Sequence, residues 1–433
     1  LYRNVIDRTG TTSFLGYRDL STESRIAAII RDGVESNDAH QGDEVEIILD
    51  RTPFYAEGGG QLSDSGVINA HGAVIEIDDV QRPLPGLFVH RGRVLRGAFS
   101  KALEVHASID IERRRAISRA HTATHMVHKA FREILGETAT QAGSENAPGR
   151  FRFDFPQTGP VSPDVLAQVE SRVNALLLDD LEVTAAEMSQ QEAREIGAMA
   201  LFGEKYGDVV RVVSVGDWAR ELCGGTHVAR SGQLGVIKFL SESSIGAGVR
   251  RVEALVGVDA YGFLVREHSI INSLTDLLKG TRPEELPERI SSMLARMKEI
   301  EKELGSVRVN SVSQELAEKV KSATKIGNTT VFTHRCPDGF GGDELRTLAL
   351  SLRERINNSL IVLASVVDGK VVLVAATDDA ARKSGIKAGP IVKNASIILG
   401  GGGGGKDDFA QGGGPKISAL DESLSALAQS LRS

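Results

Sequence analysis

The sequence predicts an α+β multidomain protein: a small β-barrel, a middle α+β core, a helical arm and a C-terminal α/β glycine-rich domain. Three observations predict it. The chain has 433 residues, whereas single cores stop growing near roughly 250 to 300. Its apolar pattern changes along the chain from short alternating runs to a helical rhythm, then to a heptad. Its glycines, 46 in all, gather into runs that punctuate the first and last units rather than spreading evenly.

Residues 1–105 carry short alternating segments, Glu44 to Leu49, Val74 to Ile77 and Phe88 to Leu95, separated by Gly and Pro clusters, as strands of a small barrel would be. Residues 106–258 turn helical from Ile111 to Leu135, then offer a strand at Phe151 to Phe155 and an amphipathic helix from Pro163 to Leu178. Strands at Val209 to Val215 and Gly235 to Leu240 flank Cys223, and the core ends near Val256. Residues 259–328 form the arm, where Ile290, Met293, Met297, Ile300, Leu304 and Val307 are spaced 3, 4, 3, 4 and 3 apart. This seam fits an intramolecular helical hairpin better than a dimer zipper, because coiled coils are recognised over about three to four heptads, and a homodimer through the arm or the C-terminal domain stays open. In residues 329–433, Ile361 to Val367 and Lys370 to Ala376 flank Asp368-Gly369, a pair suited to a type I′ hairpin turn. Gly400 to Gly405 and Gly412 to Gly414 bracket Lys406 to Gln411. Pro415 is expected at the first position of a last helix with Leu420, Leu424, Leu427 and Leu431 on one face.

Composition excludes little but informs the setting. No apolar run approaches the roughly 18 to 20 residues of a membrane helix, so no membrane partner is expected. Two cysteines cannot make a disulfide framework, which points to a reducing cytoplasm. The net charge of -7 disfavours wholesale coating of nucleic acid but allows a local basic face. The sequence opens at Leu1 without an initiator Met or signal-like segment, which is expected of a piece of a longer chain.

His121-Thr122-Ala123-Thr124-His125 places two imidazoles one helical turn apart on one face. About a hundred residues later, Cys223-Gly224-Gly225-Thr226-His227 adds a thiol and a third imidazole across residues small enough for a tight loop. A Cys/His set of this softness favours zinc over magnesium or calcium, making the core a zinc-binding domain; the competing reading is a buried Cys with satisfied core histidines. The ligand pairs lie too far apart for a zinc finger. Thr122, Ala123 and Thr124 stand where a metalloprotease has its basic Glu, so a peptidase is disfavoured.

The segment Arg51-Thr52-Pro53-Phe54-Tyr55-Ala56-Glu57-Gly58-Gly59-Gly60-Gln61 allows close backbone approach, with Thr52 and Gln61 as polar partners for a small substrate; it also reads as a tight β-turn. Arg113, Arg114, Arg115 and Arg119, with Arg250 and Arg251, are candidates for a phosphate-facing surface or simply solvated charges. Lys406, Phe409 and Gln411 interrupt the glycine run where an RNA-contacting loop or a flexible linker would lie. The run is not a Walker A motif, since Lys406 is not followed by Ser or Thr.

Thr-Pro-Phe-Tyr-Ala-Glu-Gly-Gly-Gly-Gln, His-Thr-Ala-Thr-His, Cys-Gly-Gly-Thr-His and the glycine run before Lys406 together resemble, in order, the editing and C-terminal domains of alanyl-tRNA synthetases. Arg152-Phe153-Asp154-Phe155 and Gly248 to Ala254 also fit, and the resemblance runs from Phe14-Leu15-Gly16-Tyr17 to the last helix. It implies that His121, His125, Cys223 and His227 hold Zn2+ and that Gln141, Thr52, Thr124 and Gln61 line an editing pocket. It further implies hydrolysis of the ester joining serine or glycine to tRNA(Ala), since an alanine pocket cannot strongly reject either amino acid. Arg250 and Arg251 would meet the RNA near the metal, and Lys406, Phe409 and Gln411 would do so in a DHHA1-type domain that binds the outer corner of tRNA.

Four protein ligands would close a tetrahedral zinc and leave it a positioning role, whereas a loose ligand would leave a place for water. Glu57 and Asp154 are the candidate general bases. Nothing in the sequence is expected to resemble the aminoacylating class II core, so ATP and Mg2+ belong to a half not present here. Two other readings are a free-standing trans-editing deacylase and a non-catalytic tRNA-binding or dimerisation module with a structural zinc.

Overall fold

The structure, a computed structural model, describes residues 1–200 and 207–431. Its contacts divide into two compact units, Leu1–Leu274 and Thr275–Ser433.

In the first unit, six strands close into an antiparallel barrel: β1 (Ser21–Arg31), β2 (Glu44–Leu49), β3 (Gly66–Ala70), β4 (Ala73–Leu84), β5 (Leu87–Arg96) and β6 (Glu104–Ile109). The order is β6-β3-β4-β5-β2-β1, and β1 pairs back to β6. Closure removes the free edges of the sheet. The alternation read from the sequence has this cause: Ile47, Leu49, Ile75, Ile77 and Val94 point into one core with Phe54 and Phe99.

From the barrel the chain passes directly into α1 (Ile111–Leu135), whose N-cap Asp110 accepts the Arg113 amide at 3.0 Å. Almost every residue from Ile117 to Phe131 is buried. One side of α1 packs on a four-stranded antiparallel sheet in the order Gly143–Ala147, Arg150–Pro156, Val249–Val256, Ile237–Gly246. There Phe131 stacks on Phe155 with centroids 4.7 Å apart, beside Phe151 and Phe153. The helix Pro163–Leu178 starts with a Ser162 cap and Pro163 in its first turn. A three-stranded sheet, Val183–Ser189, Val209–Val215 and Ala219–Leu222, then delivers the chain to Cys223.

In the second unit, the helix Leu286–Lys319 carries the heptad seam on its surface: Met293, Met297, Leu304 and Val307 are all at least half exposed. The six-stranded sheet runs Thr324–Ile326, Thr329–Arg335, Ser359–Val367, Lys370–Thr377, Phe409–Gly414, Gly402–Gly405. Its single parallel pair is bridged by the helix Gly342–Glu354. Asp368 (φ 48°) and Gly369 (φ 74°) make the left-handed turn expected between the central strands.

One expectation is corrected. Pro415 is not in the first turn of the last helix. It precedes a 3-10 turn, Ile417–Ala419, and the helix itself is Leu420–Ser430. The Lys416 amide instead bonds the Leu399 carbonyl, which ties this entry segment to the preceding helix end. No helix among the described residues is long and apolar enough to cross a membrane.

Candidate metal centre

His121 and His125 project from the buried middle of α1, and the loop after Ala219–Leu222 brings Cys223 and His227 against them. The ligating atoms of the four side chains all lie within 4.8 Å of one another. Cys223 Sγ is 3.4 Å from His121 Nε2 and 3.3 Å from His227 Nε2. A tetrahedral zinc with bonds of about 2.0 to 2.3 Å sets its ligand atoms roughly 3.3 to 3.7 Å apart, so this spacing suits one ion.

The surrounding hydrogen bonds fix which nitrogen of each ring faces inward. The Thr226 amide donates to Gln61 Oε1 at 2.8 Å, which sets the Gln61 side-chain amide and leaves Oε1 to accept from His121 Nδ1 at 2.8 Å. His125 Nδ1 meets the Glu221 carboxylate, an acceptor. Thr122 Oγ1 donates its hydrogen to the Ser118 carbonyl at 2.9 Å and must accept from His227 Nδ1 at 3.0 Å. Every Nδ1 is thus a protonated nitrogen, and every Nε2 is the atom turned towards the cluster. Among the described residues, His125 Nε2 is buried without a hydrogen-bond partner. A bound cation would satisfy that atom, and the residues therefore fit a metal.

The charges agree with this arrangement. Burial would raise the Glu221 pKa, but His125 and His128 outweigh it and hold the carboxyl at about 2. Burial would also raise the Cys223 pKa; the three imidazoles carry it well below the usual thiol range, towards the thiolate. Burial pulls His227 down to about 3, keeping that ring neutral against the opposing pull of Cys223. His125 differs: burial would lower its pKa, but Glu221 and Cys223 hold it well above the usual 6.5, so that ring is protonated in the metal-free cluster and must release a proton when a metal binds.

Small residues let the loop close. A Cβ on Gly225 would lie 2.1 Å from His121 Cε1, so any side chain there would displace a ligand. Arg211 Nη1 donates to the Cys223 and Gly225 carbonyls at 2.8 and 2.9 Å, and its guanidinium lies 4.1 Å over the Tyr17 ring. Tyr17 in turn donates to the Gly224 carbonyl at 2.6 Å. Opposite, Gly58 to Gln61 form the tight turn anticipated, with positive φ at Gly59 and Gly60. Gly58, Gly59, Gln141, His121, His125 and Cys223 line one cavity of about 380 Å³.

The sequence candidates separate accordingly. Gln141 lines the cavity, donating to Ser144 Oγ at 3.0 Å. Gln61 is fully buried behind His121 and bonds Thr226. Thr52 and Thr124 are not brought to the cavity: Thr52 Oγ1 pairs with His90 Nε2 at 2.7 Å inside the barrel, and Thr124 donates to Asn146 Oδ1 at 2.6 Å. Glu57 is exposed and accepts from Gln81. Asp154 is held by both arms of Arg251 at 2.7 and 2.8 Å, and Arg250 donates to Glu242 at 2.7 Å, so neither arginine is a free phosphate ligand. Arg114 is not on the surface either. It is buried against Asp64, with Nε 2.9 Å from Oδ1, and also donates to the Gly16 and Pro53 carbonyls.

In the second unit Lys406 is exposed between the two glycine strands, Phe409 lies under Arg346 at 4.8 Å, and Gln411 packs over Gly342. Sequence reasoning missed Glu221 and Arg211, and it assigned no role to Thr226 or Tyr17. Thr226, inside Cys-Gly-Gly-Thr-His, and Tyr17, in Phe14-Leu15-Gly16-Tyr17, carried a local signal.

Three family models match the chain: "tRNA synthetases class II (A)" over residues 2–113, "Threonyl and Alanyl tRNA synthetase second additional domain" over 210–253, and the "DHHA1 domain" over 328–433. The first lies over the barrel and the start of α1. The chain is similar to alanine–tRNA ligases of Nocardioides sp. (56% identical over 98% of this chain), Acidothermus cellulolyticus (54% over 100%) and Streptomyces avermitilis (51% over 98%). It covers 48%, 49% and 48% of those relatives, so it spans about half their length. Among solved structures, the C-Ala domain crystal structure from Aquifex aeolicus alanyl-tRNA synthetase is 27% identical, matching 26% of this chain and 98% of that one with a TM-score of 0.24.

Proposed function

The chain belongs to the alanine–tRNA ligase family, and from that we propose that it is the proofreading region, a cytoplasmic zinc-dependent hydrolase of tRNA(Ala) mischarged with serine or glycine. In the reaction, water adds to the ester carbonyl, the acyl C–O bond breaks, and free amino acid leaves a restored ribose hydroxyl. The observation that carries this reading is the inward-facing His125 Nε2, without a partner, beside a cavity that also holds Gln141.

In this reading His121, His125, Cys223 and His227 hold zinc, which supplies fixed positive charge beside the ester. Gln141 hydrogen-bonds the bound amino acid or ribose, and the bare backbone of Gly58 and Gly59 lets the substrate approach closely. Gln61, Glu221 and Thr122 position the imidazoles. A site that hydrogen-bonds the serine hydroxyl spares alanine, because the analogue lacking the hydroxyl leaves buried polar groups unpaired. Lys406, Phe409 and Gln411, in the DHHA1-type domain, contribute a second RNA contact, and linking two weak contacts raises the effective concentration of the ester at the metal.

Glu57, Asp154 and Glu221 are each engaged elsewhere, so no side-chain carboxylate is assigned as general base. The four-ligand set also supports a purely structural zinc in a non-catalytic RNA-binding module. The experiment measures amino-acid release from Ser-tRNA(Ala) and Ala-tRNA(Ala) before and after zinc removal. Selective, zinc-dependent release of serine is expected; tRNA binding with no release from either ester would leave the binding module. Gln141→His is expected to keep zinc and fold while slowing release, and unchanged turnover would remove Gln141 from the site.

A further inference from the structure

The metal cluster has a second neighbour. His227 and Thr226 form part of the wall of another cavity, about 660 Å³, which the Tyr17 side chain shares with the first. Among the described residues its wall includes Arg18, Arg115, Arg119 and Arg211 and not one Asp or Glu, although the chain as a whole carries a net charge of -7. Arg211 is committed to the loop carbonyls and Tyr17, and Arg115 to Glu112 at 2.9 Å. The side chains of Arg18 and Arg119 have no hydrogen bond or ion pair among the described residues, and Arg18 is exposed.

Folding alone does not account for this distribution. Arg115 and Arg119 stand at i and i+4 of α1, where like charges oppose each other by about 0.2 to 0.5 kcal/mol. The buried Arg114 is compensated by Asp64, whereas Arg119 has no such partner. Charge kept in a concave site without a counter-charge suits an anionic ligand.

We propose that this arginine-lined cavity is a second RNA subsite, which takes the phosphodiester backbone of the nucleotides preceding the ester-bearing one. The proposal rests on the editing reading for the identity of the RNA, and it adds a location and a recognition chemistry. An RNA 3′ end held at the metal must continue past the wall of its cavity, and the neighbouring space beyond Tyr17 is open, positive and contiguous with His227. Arg18 and Arg119 meet phosphate oxygens there, with Gln233 as a further polar wall residue. Such contacts are independent of base identity and position the strand rather than read it.

The test uses the full chain loaded with zinc and a dye-labelled RNA tetranucleotide ending in a 3′ adenosine, titrated over a series of salt concentrations with adenosine monophosphate alongside. The Arg18→Gln/Arg119→Gln double variant, with zinc content measured as the control for fold, is expected to bind the tetranucleotide about tenfold more weakly. Its log K against log salt slope should be shallower by about 1.4, from two single-strand phosphates at about 0.7 each. An unchanged affinity and slope in the zinc-loaded variant would overturn the subsite, as would a wild-type chain that gains no affinity from mononucleotide to tetranucleotide. Ester hydrolysis is read separately. Hydrolysis with an unchanged slope defeats this inference alone, and a salt-sensitive tetranucleotide gain without hydrolysis defeats the editing reading alone.

Discussion

The Cys/His cluster and the glycine hairpin Gly402–Gly414 are both conspicuous in the sequence, yet the structure accounts for them in different ways. In the cluster, four side chains from two stretches a hundred residues apart converge, and among the described residues a buried nitrogen is left without a partner. In the hairpin, most glycines have a packing reason. A Cβ on Gly403 would lie 2.6 Å from Gly412 Cα and 2.8 Å from Val392 Cγ1, and one on Gly405 would lie 2.5 Å from Ala410 Cα. Gly402 and Gly404, between them, would meet nothing within 4 Å. A run of one residue type therefore mixes positions required for packing with positions left open, whereas a constellation of different ligands has no comparable packing explanation.

Breaking the cluster is expected to give the largest effect. Cys223→Ser should weaken zinc binding by more than about 100-fold, beyond the range seen for outer-shell changes, as measured by competition with a chelator. Glu221→Gln should weaken it by about 10- to 100-fold, since the amide cannot supply the charge that holds His125. Equal zinc affinity in Glu221→Gln would remove the carboxylate from the account. The corresponding break in the hairpin is Gly403→Ala, expected to destabilise the second unit by about 1 to 3 kcal/mol without altering zinc content, read as a shift in its thermal transition.

Acid should separate the units as well. Burial lowers the His90 pKa to about 4, below its ordinary 6.5, so the folded barrel keeps the ring neutral while the unfolded chain takes up a proton. Stability from this group is unaffected above pH 6.5. It falls as pH drops from 6.5 towards 4, by about 1.4 kcal/mol per pH unit. His90→Asn should flatten that slope in the melting temperature of the first unit, and an unaltered slope would exclude His90 as the cause. In the second unit the half-buried His334 is the responding histidine, while Cys336 stays protonated with its pKa pushed up to about 12 by burial. The smallest effect expected is Gly402→Ala, within about 0.5 kcal/mol, which sharpens the contrast with Gly403.

The barrel strands, α1 and the type I′ hairpin were legible because each is encoded by a local period or turn pair. The four members of the Cys/His cluster were legible because i, i+4 spacing on a helix and small residues in a loop are also local. What could not be read was burial. Thr52 and Thr124 carry the right hydroxyls but spend them on His90 and Asn146. Arg114 looks like its neighbours in sequence and is nevertheless buried on Asp64, fifty positions away. Glu221 escaped notice because its partners lie 96 and 93 residues earlier, at His125 and His128, and strand pairing alone brings it to them. Arg250 and Arg251 were likewise neutralised by cross-strand and sheet neighbours, Glu242 and Asp154.

X-ray absorption at the zinc edge of the loaded chain tests the central claim most directly, because it reads the ligand set itself. The geometry predicts three nitrogen scatterers at about 2.0 to 2.1 Å and one sulfur at about 2.3 Å, with the sulfur shell lost in Cys223→Ser. A shell without sulfur in the wild-type chain, or one unchanged by that substitution, would contradict the assignment of His121, His125, Cys223 and His227 as the metal site.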